Sequence, residues 1–212
     1  FTTNSTTAKL SHDNVNEILQ DSEGKIWVGT EKGLNILKKV EGKWQNNIIL
    51  QELGNERSLS NNMIHALLET KQGTIWVGTN GGGISVFDLQ GQFIKTIKYD
   101  NHQAIAKDGK LINSLYQDKQ GYIWIGTVER GLIRFQPELA AFKQYKFDPQ
   151  NAFSPPSNTI GAIEQDSSGR LWIATDKGLL IYNQESDNFW RFNHSVTNPF
   201  SLKSDYILTF FE

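Results

Sequence analysis

Residues 20 to 30 read Gln20-Asp21-Ser22-Glu23-Gly24-Lys25-Ile26-Trp27-Val28-Gly29-Thr30, and this text returns three times. It comes back as Lys71-Gln72-Gly73-Thr74-Ile75-Trp76-Val77-Gly78-Thr79 and as Asp118-Lys119-Gln120-Gly121-Tyr122-Ile123-Trp124-Ile125-Gly126-Thr127. The last copy is Asp166-Ser167-Ser168-Gly169-Arg170-Leu171-Trp172-Ile173-Ala174-Thr175, with Ala174 in place of Gly. Trp27, Trp76, Trp124 and Trp172 are spaced 49, 48 and 48 residues apart. A fixed period of this length marks a repeat architecture in which each copy is one supersecondary unit.

Working outward from the tryptophan, each copy reads as four short strands. A first strand is expected at Val15–Gln20, Ile64–Glu69, Ile112–Gln117 and Ile160–Gln165, followed by a polar turn ending in Gly, which is hairpin chemistry. The Trp strand comes second. A second turn ends in Gly33, Gly83, Gly131 or Gly178 and leads into a third strand at Leu34–Leu37, Ile84–Phe87, Leu132–Phe135 and Leu179–Tyr182. The fourth is less regular: Trp44–Leu50, Phe93–Tyr99, Phe142–Phe147 and Phe189–Phe192. No stretch carries a helical stripe. Along the Trp strand Ile26 and Val28 face one way, Trp27 and Gly29 the other, and both sets are apolar or small. A sheet with one wet face would alternate apolar with polar, so each sheet is expected to be covered on both sides.

Four-stranded units stacked face to face are the blades of a β-propeller. The reading is therefore all-β: a β-propeller fragment of four four-stranded antiparallel blades plus the first strand of a fifth. The blades fall at about 10–58, 59–107, 108–155 and 156–201, and residues 202–212 restart the unit, with Ile207 placed 47 residues after Ile160. Phe1 to Val15 matches the connector from Phe192 to Ile207, both ending in Leu-x-x-Asp-x-apolar. A closed four-bladed ring is the alternative, but it leaves the last strand without a place. An open arc exposes blade faces and a strand edge at Tyr206–Phe211, from which self-association is expected.

Composition narrows the function. The chain has 212 residues, 21 Lys and Arg against 23 Asp and Glu, a net charge of −2 and a pI near 6.1. Such a balance carries no basic stripe for nucleic acid. Mean hydropathy is −0.46, yet aromatic residues reach 11% with six Trp, the mark of a folded rather than a disordered chain. The longest apolar runs are too short to cross a membrane as a helix. Cysteine is absent, which removes disulfides, thiolate metal sites and Cys nucleophiles.

Residues 58 to 79, Ser-Leu-Ser-Asn-Asn-Met-Ile-His-Ala-Leu-Leu-Glu-Thr-Lys-Gln-Gly-Thr-Ile-Trp-Val-Gly-Thr, resemble the two-component regulator propeller repeat. That pattern runs Ser-Leu-x-x-Asn-x-Ile, then Asp-x-x-Gly-x-Ile/Leu-Trp-Ile/Val-Gly-Thr, then Gly-Leu. Gly33-Leu34, Gly131-Leu132 and Gly178-Leu179 supply the last element, while Thr70-Lys71 and Ala174 depart from it. The resemblance implies the periplasmic, extracytoplasmic sensor region of an inner-membrane receptor whose output is a histidine kinase or a diguanylate cyclase. Its partners would be an extracytoplasmic ligand, of saccharide or protein class, and the neighbouring blades of the parent receptor, with no cofactor and no nucleic acid.

The repeated Trp27, Trp76, Trp124 and Trp172 are read as inter-blade core rather than a sugar platform, because they sit in the apolar strand. Trp44 and Trp190 belong to outer strands and are expected at the rim. Asp-x-x-Gly lacks the alternating ligands and terminal Glu of a calcium loop, so Asp21, Asp118 and Asp166 are expected to bond turn amides. Asn80-Gly81-Gly82-Gly83 opens no helix and has no following Lys-Ser/Thr, which removes phosphate binding. His12, His65, His102 and His194 share no metal spacing, and no nucleophile elbow or paired catalytic carboxylates stand out, so no catalytic or metal-binding residue is assigned. Propeller ligands meet loops joining strands two and three and strand four to the next blade. The ligand-binding candidates there are Glu31, Lys32, Asn80, Glu129, Arg130, Asp176 and Lys177, with His12, Asn62 and Asn158 from the connectors. Charged, non-identical residues at equivalent repeat positions suit recognition better than folding, and they also suit a plain solvated rim. The leading reading is a non-enzymatic sensory propeller; a lyase- or glycosidase-type propeller enzyme and an interaction scaffold are the alternatives.

Overall fold

The computed structural model describes residues 1–4, 8–97, 111–207 and 209. They form four antiparallel sheets, each of four consecutive strands. The first holds β1 (Val15–Gln20), β2 (Ile26–Thr30), β3 (Gly33–Val40) and β4 (Lys43–Ile49); the second holds β5 (Ile64–Glu69), β6 (Thr74–Thr79), β7 (Ile84–Asp88) and β8 (Phe93–Ile97). The third holds β9 (Ile112–Gln117), β10 (Ile123–Thr127), β11 (Leu132–Gln136) and β12 (Ala141–Tyr145). The fourth holds β13 (Ile160–Gln165), β14 (Leu171–Thr175), β15 (Gly178–Asn183) and β16 (Asn188–Phe192). One 3-10 turn, Pro137–Leu139, is the helical element among the described residues. The expected all-β class and blade-like sheets stand.

The chain divides into two compact units, Phe1–Ile112 and Asn113–Glu212. In the first, Trp27, Leu34 and Ile36 of the first sheet pack on Ile64, Leu67, Ile75, Val77 and Phe87 of the second, with Leu59 from the connector. The opposite face of the first sheet buries Val28 and Leu37 against Ala8 and Leu10. Both faces of β2 are thus covered, which is why its sequence does not alternate. In the second unit Trp124, Leu132 and Tyr145 meet Ile160, Ile163, Leu171, Ile173, Leu180 and Phe189. Gly29 lies where the sheets approach most closely: a Cβ there would stand 2.5 Å from Ile64 Cγ2. Gly126 is in the same relation to Ile160.

Three of the repeated tryptophans are buried. Trp172 is only half-buried, because no further sheet packs on its face among the described residues and its ring is met by Phe192 and the Arg170 guanidinium instead. The outer-strand tryptophans are where the sequence put them, with Trp190 50% exposed.

The described connectors after the first, third and fourth sheets share one construction that the period alone does not reveal. Asn62 Oδ1 accepts from the Gln51 amide at 2.7 Å while its carbonyl accepts from Gly33 N at 2.7 Å. Asn158 does the same for Phe147 and Gly131, at 2.8 and 2.7 Å. Asp205 does it for His194 and Gly178, at 2.5 and 2.7 Å. Asp13 repeats the side-chain half by accepting from the Thr3 amide at 2.7 Å. Within each of these three connectors an Asn-x-x-Ser pair closes the loop: Ser58, Ser154 and Ser201 cap the loop's first amide through their Oγ, at 3.0, 3.0 and 2.8 Å. This clasp explains why β4 and β12 stop at Ile49 and Tyr145, short of the expected Leu50 and Phe147: the amides beyond them turn away to the clasp. Residues 98 and 99 of the expected fourth strand, and residues 208, 210 and 211 of the expected fifth-blade strand, lie outside the described residues. Residues 203 to 207 form no strand, but the Asp205 clasp and the bond from Ile207 N to Thr175 O (3.2 Å) repeat the entry into a further unit.

Candidate functional site

Antiparallel order sends the β2–β3 turn and the connector to the same edge of each sheet. In the first unit the structure gathers His12, Glu31, Lys32 and Asn62 at one such edge. His12 Nδ1 lies 3.9 Å from Glu31 Oε2, and the Glu31 amide donates to Asn14 O at 3.2 Å. Lys32 is held by its amide on Thr30 Oγ1 (3.1 Å), its side chain exposed. His65, on β5, is half-buried; desolvation lowers its pKa, and the Glu31 charge opposes that shift. Glu17 on β1 is raised by burial, against a hydrogen bond from the Ile18 amide. Asn80 donates its amide to Met63 O at 3.0 Å.

In the second unit Glu129, Arg130 and Asn158 sit together, because the clasp ties Gly131 to Asn158 and Gln144 Nε2 donates to Arg130 O at 2.8 Å. Asp176 and Lys177 are tied to the Asp205 clasp, with Asn193 Nδ2 donating to Lys177 O at 2.7 Å. Asp176 Oδ1 is buried without a hydrogen-bond partner in the structure. Asn62 and Asn158 have their side-chain oxygens committed to the clasp, so only their amide nitrogens are left for a ligand. His102 lies outside the described residues.

At the opposite edge the Asp-x-x-Gly turns do more than cap amides. Asp21 Oδ1 accepts from Glu23 N and Lys25 N, as the turn chemistry predicts, while Oδ2 accepts from Trp27 Nε1 at 2.8 Å. Asp118 and Asp166 hold Trp124 and Trp172 in the same way, at 2.7 and 2.9 Å. Where Thr70 replaces Asp, Trp76 Nε1 donates to Thr74 Oγ1 at 3.1 Å, and that hydroxyl pairs with Thr70 Oγ1 at 2.7 Å. Hydrogen bonds from Ser168 and then Trp172, opposed by desolvation, hold the Asp166 carboxyl below its usual range.

The second unit carries a feature the sequence reading missed. Where β3 pairs Ile36 with Asn47 and Leu34 with Ile49, β11 pairs Arg134 with Lys143 and Leu132 with Tyr145. Gly91, at positive φ and so close that a Cβ would stand 2.6 Å from Ile36 Cδ1, is matched by Asp187, also at positive φ. An apolar seam has become an ionic one. The Arg134 guanidinium lies over the rings of Tyr122, Trp124, Tyr145 and Tyr182, at 4.9 to 5.9 Å from their centroids. Asp187 Oδ1 accepts from Tyr145 OH (2.5 Å) and Tyr182 OH (2.6 Å), and the carboxylate is also paired with Lys143 and Arg134. The signal was available: aligned repeats show Arg134 where the other copies have Ile36, Val86 and Ile181.

Burial opposes ionisation of Asp187, but the hydrogen bonds from Lys143, Tyr145 and Tyr182 outweigh it and hold its pKa at about 2. Burial first, then the Asp187 carboxylate, pushes Tyr182 up to about 12 and Tyr145 higher still. The lowered carboxyl contributes stability above its ordinary value of 3.8, and that contribution is lost as pH falls towards 2. The raised tyrosines contribute fully below 10, and their part is lost as pH rises towards 12. Denaturant midpoints measured across pH are therefore expected to fall at both ends. Asp187→Ala should flatten the acid limb by about 1 kcal/mol after allowance for solvent screening; an unchanged acid limb would show that the network is not formed.

Four-stranded antiparallel sheets joined in chain order, stacked through a tryptophan strand within each unit and clasped at three described connectors, are the blades of a β-propeller. The chain belongs to the two-component regulator propeller family, whose model matches residues 9–32, 58–81, 107–129 and 154–177. Each match runs from the connector through the Trp strand to the β2–β3 type of turn. No curated protein matches the chain. Among solved structures it is similar to the extracellular domain of the proposed one-component system BT4673 from B. thetaiotaomicron, with 25% identity and a TM-score of 0.72 over 92% of this chain and 24% of that one. It is also similar to the extracellular domain of the proposed hybrid two-component system BT3049 of the same organism, with 24% identity and a TM-score of 0.67 over 88% of this chain and 24% of that one. Virginiamycin B lyase from Staphylococcus aureus shares the fold at 14% identity and a TM-score of 0.61, over 92% of this chain and 58% of that one. The last two likenesses speak for the fold alone. The chain spans about a quarter of the length of the two extracellular domains. Among the described residues no helix is long and apolar enough to cross a membrane.

Proposed function

We propose that the chain is a non-enzymatic recognition module in the extracytoplasmic, periplasmic part of a membrane-bound signalling receptor. The observation that carries this reading is the contrast between clasp and turn. The clasp is repeated bond for bond at Asn62, Asn158 and Asp205, while the three turns it supports bear Glu31-Lys32, Glu129-Arg130 and Asp176-Lys177 at equivalent places. A rigid frame presenting variable polar side chains is how binding surfaces are built on repeat scaffolds. Family membership and the likeness to an extracellular domain of a proposed signalling system support the receptor context. In that context the output is a histidine kinase or diguanylate cyclase carried elsewhere in the receptor, and the ligand is a solute or protein outside the cytoplasm.

The enzyme alternative rests on Glu17 and His65, whose pKa values are moved by burial in opposite senses, the raised-acid and lowered-base pattern that catalytic sites use. Both are on first strands, next to the candidate turns. The two readings part on one experiment. The protein is incubated with a panel of saccharides and esters, and binding and turnover are followed together. Saturable binding without turnover, weakened by Arg130→Ala or Lys177→Ala while the unfolding midpoint stays in place, is the expected result. Turnover abolished by Glu17→Gln would overturn it.

A further inference from the structure

We infer that the seam between the third and fourth sheets is a second site, binding a small solute through a single carboxylate. This goes beyond the turn-face reading and uses none of its residues. A cavity of about 330 Å³ opens at the Asp-x-x-Gly edge of this seam, lined by Tyr122 and Arg134 from the third sheet, by Arg170, Tyr182 and Asp187 from the fourth, and by Gln120 and Gln184. That volume suits a molecule the size of a sugar acid or an amino acid.

The lining acids and the lining cations are placed differently. Asp187 is enclosed by two tyrosine hydroxyls, Lys143 and Arg134. Asp118, also in the lining, accepts from Tyr122 N (2.9 Å) and Trp124 Nε1 (2.7 Å). The guanidiniums keep open edges. Arg170 is fixed through Nε on Asp166 Oδ2 (2.7 Å) and lies 5.4 Å over the Trp172 ring, and among the described residues neither of its terminal nitrogens is engaged. Arg134 uses Nη1 on Tyr182 and Asp187 and rests over four rings. Among the described residues its Nε and Nη2 meet no hydrogen-bond acceptor. Two guanidinium forks, immobilised on aromatic faces and open on their outer edges, are preorganised for carboxylate oxygens. The side-chain amides of Gln120 and Gln184 are unengaged and can take hydroxyl or amide groups, and the Tyr122 ring offers a flat apolar wall. Arg134, Lys143 and Arg170 are balanced in formal charge by Asp118, Asp166 and Asp187. Recognition therefore relies on hydrogen-bond geometry, which favours one carboxylate over a polyanion.

The chain contains its own control. The first seam closes with Ile36, Ile49 and Gly91 at the corresponding positions, so blade stacking does not need the ionic set. A partly buried ion network is seldom more stable than its apolar counterpart, and a ligand gives such a set a reason to persist.

The test titrates the protein with D-galacturonate and L-glutamate, and with uncharged D-galactose and L-glutamine, by tryptophan fluorescence and calorimetry. Trp124 and Trp172 lie directly under the two guanidiniums and report occupancy. At least one acid should bind saturably and its uncharged counterpart should not. R170Q should weaken binding about 10- to 100-fold, the scale of losing a charge-assisted hydrogen bond. The double variant R134I/D187G, which gives the second seam the counterparts of Ile36 and Gly91 and should still unfold cooperatively, should abolish it. The inference is overturned if neither acid binds, if the uncharged compounds bind equally, or if binding survives unchanged in both variants.

Discussion

Trp124→Ala is expected to cost about 3–5 kcal/mol, the scale for truncating a fully buried aromatic. Trp124 has no exposed surface. It stacks on Tyr145 at a centroid distance of 5.9 Å, meets Tyr182 edge-on at 4.7 Å and lies in the core joining the third and fourth sheets. Its truncation removes more than area. Trp124 Nε1 donates to Asp118 Oδ2 at 2.7 Å, and the buried Asp118 side chain would lose that donor. The loss should therefore fall towards the upper end of the range and exceed that of Trp76→Ala, whose indole bonds a neutral threonine hydroxyl. Trp190→Ala, at a half-exposed outer position, should stay within about 0.5 kcal/mol of wild type. Chemical denaturation with unchanged slope checks all three, and a Trp124→Ala midpoint equal to wild type would mean that the ring is not core.

Much of this was legible in the sequence because it repeats. Four copies of one text fix the Trp strand, the hairpin glycines and the sheet order, since a strand buried on both faces cannot alternate and a turn at positive φ asks for Gly. The Asp of Asp-x-x-Gly was legible as a turn former but not as the anchor of the indole. That bond spans six residues across a hairpin and depends on register, which periodicity does not give. The clasp was hidden for a related reason. Asn62, Asn158 and Asp205 stand at one repeated Asn/Asp place of the connector text, but that text does not show that each joins a fourth strand's exit to a turn already formed earlier in the chain. The ionic seam was hidden in plain text. Arg134, Lys143, Tyr145 and Asp187 are scattered through the third and fourth copies, and only strand pairing brings them to one place. Repeats make the common frame readable, and the positions where copies differ need the structure before they acquire partners.

The same frame makes glycines at one conformation unequal. Gly121 and Gly131 both have positive φ, 91° and 81°. A Cβ on Gly121 would meet nothing within 4 Å, so Gly121→Ala carries only the left-handed backbone penalty, about 1 kcal/mol. A Cβ on Gly131 would run into the carbonyl oxygen of Tyr145, which is backbone in the β11–β12 ladder and cannot rotate away. Relief requires the whole turn to shift. Gly131 N is bonded to Asn158 O at 2.7 Å, and its carbonyl accepts from Thr127 Oγ1 at 2.7 Å, so a shift breaks the clasp and loosens the strand end together. Adding an overpacking cost of about 1–3 kcal/mol to the backbone penalty gives about 2–4 kcal/mol for Gly131→Ala. Equal midpoints for the two alanine variants would show that the close approach is absent. The displacement has a functional side as well, because Glu129 and Arg130 immediately precede this glycine. At concentrations and temperatures where Gly131→Ala is still folded, it should weaken recognition at the turn face more than Gly121→Ala does, since a variable turn can present its side chains reproducibly only while the invariant clasp beneath it holds.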